Sequence, residues 1–146
     1  MGTKAQILII EDDVDTSEAM KLTLESQDYT VLTADNPRDG IEKARAEKPD
    51  IIILDVMFGR TEKAVGFDYA IEIKKDKTLA QIPILMVTAV NIRYPNFGFS
   101  PQADGDYLPV DEFINKPAAP DDLISKVKSL LKQKTSKWAN WIDEIE

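Results

Sequence analysis

An α/β fold, with a five-stranded parallel sheet covered on both faces by helices, is predicted by three features of the sequence. Short apolar runs alternate with helical stretches along the chain. The runs are apolar throughout, the pattern of strands buried on both faces, instead of alternating as half-exposed strands do. A length of 146 residues, 43% of them hydrophobic, suffices for one domain with a real core but not for two comfortable ones.

The elements follow in order. Gln6–Ile10 is a nearly unbroken apolar run of strand length. A helix is predicted over about Thr16–Gln27, with Asp15 as candidate N-cap and Met20 and Leu24 one turn apart. Thr30–Ala34 is the second strand. Asn36-Pro37 starts a helix with a capping side chain and a proline at the first helical position. That helix runs to about Glu47, buries Ile41 and Ala44, and is ended by Pro49. Ile51–Leu54 is the third strand. A charged, glycine-bearing loop leads to a helix over Phe67–Lys75, with Phe67, Ala70, Ile71 and Lys74 at helical spacing. Pro83 introduces the fourth strand, Ile84–Val87. Asn91–Pro109 is broken by Pro95, Gly98, Pro101 and Gly105 and reads as irregular. Phe113–Asn115 is a short last strand. Asp121–Lys132 is an amphipathic helix with Leu123, Val127, Leu130 and Leu131 on one face.

Composition removes whole classes of chemistry. With no Cys and no His, the chain has no disulfide, thiolate or imidazole metal site, and no Ser-His triad. Carboxylates, amides and carbonyls remain as metal ligands, a set that favours Mg²⁺ or Ca²⁺ over zinc. Against 18 basic residues stand 26 acidic ones, a net charge of -8, so direct DNA binding is not expected. No apolar run reaches membrane-spanning length and the N-terminus lacks a signal-peptide core, so the sequence reads as cytoplasmic and not membrane-bound.

In an open parallel sheet, ligands bind beyond the carboxyl ends of the strands. The first strand ends in Glu11-Asp12-Asp13, the third in Asp55, the fourth in Thr88-Ala89 and the fifth in Lys116-Pro117. Taken singly, each has an ordinary use: Asp13 and Asp15 as caps, Asp55 as a turn residue, Thr88 as a β-branched strand residue. Together they place carboxylates, a hydroxyl and an ammonium on one rim. Clustered carboxylates repel one another, and a divalent cation relieves the repulsion. Mg²⁺ leaves coordination positions for phosphate oxygens, whose charge the ammonium and hydroxyl can stabilise. A phosphoryl group landing on one of these carboxylates would be stabilised in the same way.

The blocks Ile7–Asp13, Pro49–Met57, Met86–Ala89 and Phe113–Pro117, in this order, resemble the signature blocks of response-regulator receiver domains over roughly Ala5–Gln133. The resemblance implies a flavodoxin-like doubly wound sheet of order 2-1-3-4-5. It implies that Asp55 accepts a phosphoryl group from a phosphohistidine of a sensor histidine kinase or phosphotransfer protein. Mg²⁺ would be held by Asp12, Asp55 and the backbone carbonyl of Met57, with Glu11 acting through water. Thr88 and Lys116 would hold the phosphoryl oxygens. Thr88 and Phe113 would form the switch, and the Lys116-Pro117 bond would be cis. The same resemblance implies a stand-alone module that catalyses only its own phosphorylation and dephosphorylation and signals by binding a downstream protein.

Three stretches depart from that pattern. The loop Phe58–Gly66 is long and lacks the customary proline, fitting a cover for the pocket or a solvated insertion. Val90–Asp111, where the family places its fourth helix, carries Tyr94, Phe97, Phe99 and Tyr107, as partner anchors or as packing onto the sheet. Residues 134–146 form an amphipathic extension beyond the domain of residues 5–133, with Trp138, Trp141, Ile142 and Ile145 at i, i+3, i+4, i+7 spacing. It could dock on its own domain, a second copy or another protein, and homodimerisation is the first expectation. Two competing functions stand behind the leading one. A phosphorylation-independent scaffold is disfavoured because no site residue is missing. A Mg²⁺-dependent phosphohydrolase is disfavoured by apolar Met57, where a second acid would be wanted.

Overall fold

The computed structural model describes residues 5–55, 65–88, 110–115, 118–133, 135, 136 and 139, except the side chains of 65–68, 88 and 115. Five strands, β1 (Gln6–Ile10), β2 (Thr30–Ala34), β3 (Ile51–Asp55), β4 (Ile84–Thr88) and β5 (Glu112–Asn115), form one parallel sheet of order β2-β1-β3-β4-β5. The helices are α1 (Val14–Glu25), α2 (Pro37–Glu47), α3 (Val65–Lys75) and α4 (Pro120–Gln133). This is the doubly wound order that the resemblance implied. No helix of the described residues is long and apolar enough to cross a membrane.

Because side chains alternate across a strand, the apolar runs divide between two cores. Leu8, Ile10, Ile52, Leu54, Ile84 and Met86 face Ile41 and Ala44 of α2 and Ala70 and Ile73 of α3. Ile7, Ile9, Ile51, Ile53, Leu85 and Val87 face Met20 and Leu24 of α1 and Leu123, Val127 and Leu130 of α4. Each fully buried Ile or Leu contributes about 1.5–3 kcal/mol of transfer free energy. The three inner strands β1, β3 and β4, buried on both faces, therefore form the base from which the site projects.

Several expected boundaries move. Helix α1 begins at Val14 with Asp13 as N-cap, not at Thr16 with Asp15. The Asp13 side chain accepts a hydrogen bond from the Thr16 hydroxyl. Asp15 instead lies in the first turn, where a carboxylate suits the positive end of the helix. The helix closes at Glu25, because Asp28 adopts a left-handed conformation (φ 71°) in the turn to β2. Helix α2 opens as expected: Asn36 Oδ1 accepts from the Asp39 N–H at 2.8 Å, with Pro37 at the first position. It closes through a left-handed Lys48 (φ 48°) before Pro49.

Helix α3 starts two residues earlier than expected, and its buried face is Ala70, Ile73 and Lys74, with Ile71 half-exposed. β5 begins one residue earlier, at Glu112, and β3 and β4 each extend one residue further, to Asp55 and Thr88. Helix α4 is longer by one residue at each end. An Arg45–Asp76 ion pair at 2.8 Å ties α2 to the turn after α3. The Thr78 hydroxyl, and then Arg45, hold the Asp76 carboxyl below the usual carboxylate range.

Candidate functional site

The sheet brings Glu11, Asp12 and Asp55 together as the sequence predicts. Ile10 pairs with Leu54, so the residues that follow each, Glu11 and Asp55, emerge side by side from adjacent strands. The Glu11 N–H still bonds to Ala34 O of β2 at 3.0 Å, which carries the ladder one step beyond β1. Asp55 remains in register with Val87 of β4. One carboxylate oxygen from each of Glu11, Asp12 and Asp55 lies within 4.8 Å of the other two. Glu11 and Asp55 are each 2% exposed, whereas Asp12 is open to solvent. Strand ends thus hold two carboxylates in low-dielectric surroundings, and the loop to α1 presents a third from outside.

That donor set fits a hard divalent cation. Opposite oxygens around Mg²⁺ lie about 4.2 Å apart, twice its 2.0–2.1 Å bond length, so carboxylates spaced as these are can share one ion directly or through water. A cation would offset the mutual repulsion of three carboxylates, two of them removed from solvent. The orientation of Glu11 is fixed locally, since its Oε2 accepts the Asp13 N–H at 3.1 Å. Sequence reasoning did not find this support. Its signal is short-range, an acid two residues before the N-cap of α1, where backbone N–H groups need acceptors.

The remaining predicted residues are placed unequally. Thr88 ends β4 in register with Asn115 of β5, so the fourth strand end reaches the same rim as Asp55. Phe113, on β5 opposite Met86, is half-buried against the core beneath α2 and α3. Met57 and Lys116, with the Lys116-Pro117 bond, lie outside the described residues, as do Phe58–Ala64, Ala89–Pro109 and the stripe residues Trp138, Trp141, Ile142 and Ile145. Val110 and Asp111, the last residues of the Val90–Asp111 stretch that departs from the family pattern, are described and buried at the opposite end of the sheet, away from the rim.

The family model described as the response regulator receiver domain matches residues 7–128. The chain belongs to the response-regulator receiver family. Among relatives of this receiver, protein PilH of Pseudomonas aeruginosa is 36% identical over 112 residues, covering 74% of this chain and 88% of its own length. The alkaline phosphatase synthesis transcriptional regulatory protein PhoP of Bacillus subtilis is 29% identical, with 88% of this chain aligned to 49% of that protein. The receiver therefore spans about half the length of several curated relatives it matches. A solved CheY-like receiver domain protein from Methanospirillum hungatei superposes with a TM-score of 0.73 at 26% identity, covering 90% of this chain and 97% of that one. Chemotaxis protein CheY4 of Vibrio cholerae, at 24% identity and a TM-score of 0.72 over 88% of this chain and 99% of that one, shares the fold.

Proposed function

We propose that this receiver accepts a phosphoryl group on Asp55 and signals through the protein partner that the modified form binds. The observation that carries this reading is a buried Asp55 at the end of the central strand, within 4.8 Å of Glu11 and Asp12, in a chain of the receiver family. The donor is a phosphohistidine on a sensor histidine kinase or phosphotransfer protein. A carboxylate oxygen of Asp55 attacks phosphorus in line, the phosphorus–oxygen bond forms as the phosphorus–nitrogen bond breaks, and the imidazole leaves with its electron pair.

Asp12 and Asp55, with the Met57 carbonyl, would hold Mg²⁺, and Glu11 would order its water. The ion supplies charge neutralisation for the phosphoryl oxygens. Lys116 adds an ammonium to the same oxygens and Thr88 a hydroxyl, both stronger in a water-poor rim than in bulk solvent. Movement of Thr88 toward the phosphoryl group opens space beside Phe113, and the ring turns inward. With no hydroxyl, Phe113 makes this switch by packing alone.

The test is incubation with Mg²⁺ and acetyl phosphate, followed by intact mass. The chain should gain one phosphoryl group, and Asp55→Asn should gain none. An equal adduct on that variant would place the acceptor elsewhere.

A further inference from the structure

At the end of the sheet opposite the carboxylate rim, the entrances of β1, β3 and β4 border a groove of about 480 Å³. Its walls include Pro49, Pro83, Leu130 and Leu131, with Asp50 and Gln81 at the polar edge. The chain leaving α4 turns back toward this groove. The Ser136 N–H donates to the Gln81 carbonyl at 2.8 Å. The Ser136 hydroxyl is shared between the two oxygens of Asp111, at 2.9 and 3.1 Å, and Ser136 is only 4% exposed. Gln133 Nε2 donates to the same carboxylate at 3.0 Å, and the Ala139 N–H bonds back to Ser136 O at 3.2 Å. The start of the extension is thus fixed on its own domain, at a residue that also lines the groove.

We infer that residues 138–145 of this same chain fill that groove, with Trp138 and Trp141 as anchors. Trp138, Trp141, Ile142 and Ile145 recur at helical spacing and form one apolar stripe. Trp138 lies two residues beyond the Ser136 anchor, and even extended chain puts Trp141 within about 18 Å of it. The groove is of the size, roughly 300–1,000 Å³, that takes an aromatic group and its neighbours. A buried indole needs an acceptor for its N–H, and the Asp50 carboxylate at the groove edge supplies one. Tethering decides between this chain and a second copy. A short tether gives an effective concentration in the millimolar range, far above the micromolar concentration of free copies, so the intramolecular contact forms first. The extension is accordingly part of the receiver's own fold, and this inference stands apart from the chemistry of Asp55.

Both tryptophans of the chain lie in this segment, so its emission reports on nothing else. At micromolar concentration the full chain should show blue-shifted emission and acrylamide quenching several-fold weaker than that of N-acetyltryptophanamide. Both should be independent of concentration, with a monomer in sedimentation. Leu131→Glu should red-shift the emission. As a second test that keeps the apolar wall and the Gln81 main-chain carbonyl intact, Gln81→Cys/Asp143→Cys, in a chain otherwise free of cysteine, should give an intrachain product with a short bis-maleimide. Free-like quenching of the parent chain, a blue shift that appears only with dimers, or cross-linking solely between chains overturns the inference.

Discussion

The ammonium of Lys74, fully buried, donates to the carbonyl of Ile82 at 2.5 Å and to that of Ala80 at 3.0 Å. It holds the turn between α3 and β4 against the underside of α3, where an aliphatic residue would ordinarily stand. Burial pushes its pKa down to about 8, while the negative charge of Asp111 acts in the opposite direction.

Stability should therefore respond to pH through this one side chain. Above pH 8 the folded chain releases the Lys74 proton while the unfolded chain keeps it up to about 10.4, so the unfolded state binds more protons and stability rises with pH. The gain is at most about 1.4 kcal/mol per pH unit across that window. Below pH 8 the contribution is flat. Lys74→Met should cost about 1–3 kcal/mol at pH 7, because two buried carbonyls lose their donor. The gap between parent and variant should widen from pH 8 to pH 10 in urea melts. Parallel profiles would show that the ammonium titrates normally.

Gly40 of α2 should not tolerate alanine, although alanine favours helix by about 1 kcal/mol. A Cβ at Gly40 would lie 2.5 Å from Ile10 Cδ1 and 2.6 Å from Ile10 Cγ1, so helix and strand pack without space for it. Gly40→Ala should cost about 1–3 kcal/mol through overpacking. Adding Ile10→Val, which removes the nearest atom, should recover part of the loss. Thermal melts of the two single variants and the double one decide it, and additivity would mean that the clash is relieved elsewhere.

The cores and the rim were legible because they depend on local pattern: apolar runs of strand length, Asn36-Pro37 as a helix start, and acids at strand ends. Capping was less so. Asp13 and Asp15 are both acceptable N-caps, and only the path from Glu11 into α1 selects Asp13. On α3 the spacing places Ala70 and Lys74 on the buried face, as observed, but selects Ile71 over the equally apolar Ile73, and a lysine gives no sign in sequence that two carbonyls will receive it. Asp111 closes the Val90–Asp111 stretch that departs from the family pattern, yet it is a structural acceptor. Its partners, Ile84, Gln133 and Ser136, lie 22–27 residues away, beyond any spacing rule.

Asp111→Ala should be among the more damaging single changes at the base of the sheet. It removes the acceptor of the Ile84 N–H (2.9 Å), of Gln133 and of Ser136, with a loss of about 2–4 kcal/mol. Ser136→Ala should cost about 1 kcal/mol. In the double variant the two losses should fall short of their sum by about 0.5 kcal/mol or more, since both remove the same bond. A cycle that closes with no coupling in denaturant melts would argue that Ser136 contributes nothing to the anchor.

Asp12 offers the converse case, a site residue whose loss should leave the fold unharmed. It is the exposed member of the carboxylate trio, and its charge is repelled by those of Glu11 and Asp55. Asp12→Ala should accordingly leave metal-free stability unchanged or slightly higher. Under the proposed Mg²⁺ role it should weaken ion binding by roughly 10-fold or more, since carboxylates of the trio would be the ion's protein ligands. The two effects separate in thermal melts with and without the ion. A ligand that binds only the folded chain stabilises by RT ln(1 + [L]/Kd), about 2.7 kcal/mol at 100 times Kd. Millimolar Mg²⁺ should therefore raise the melting temperature of the parent chain and scarcely move that of Asp12→Ala. If both chains shift equally, the ion binds elsewhere and the rim has lost its proposed cation.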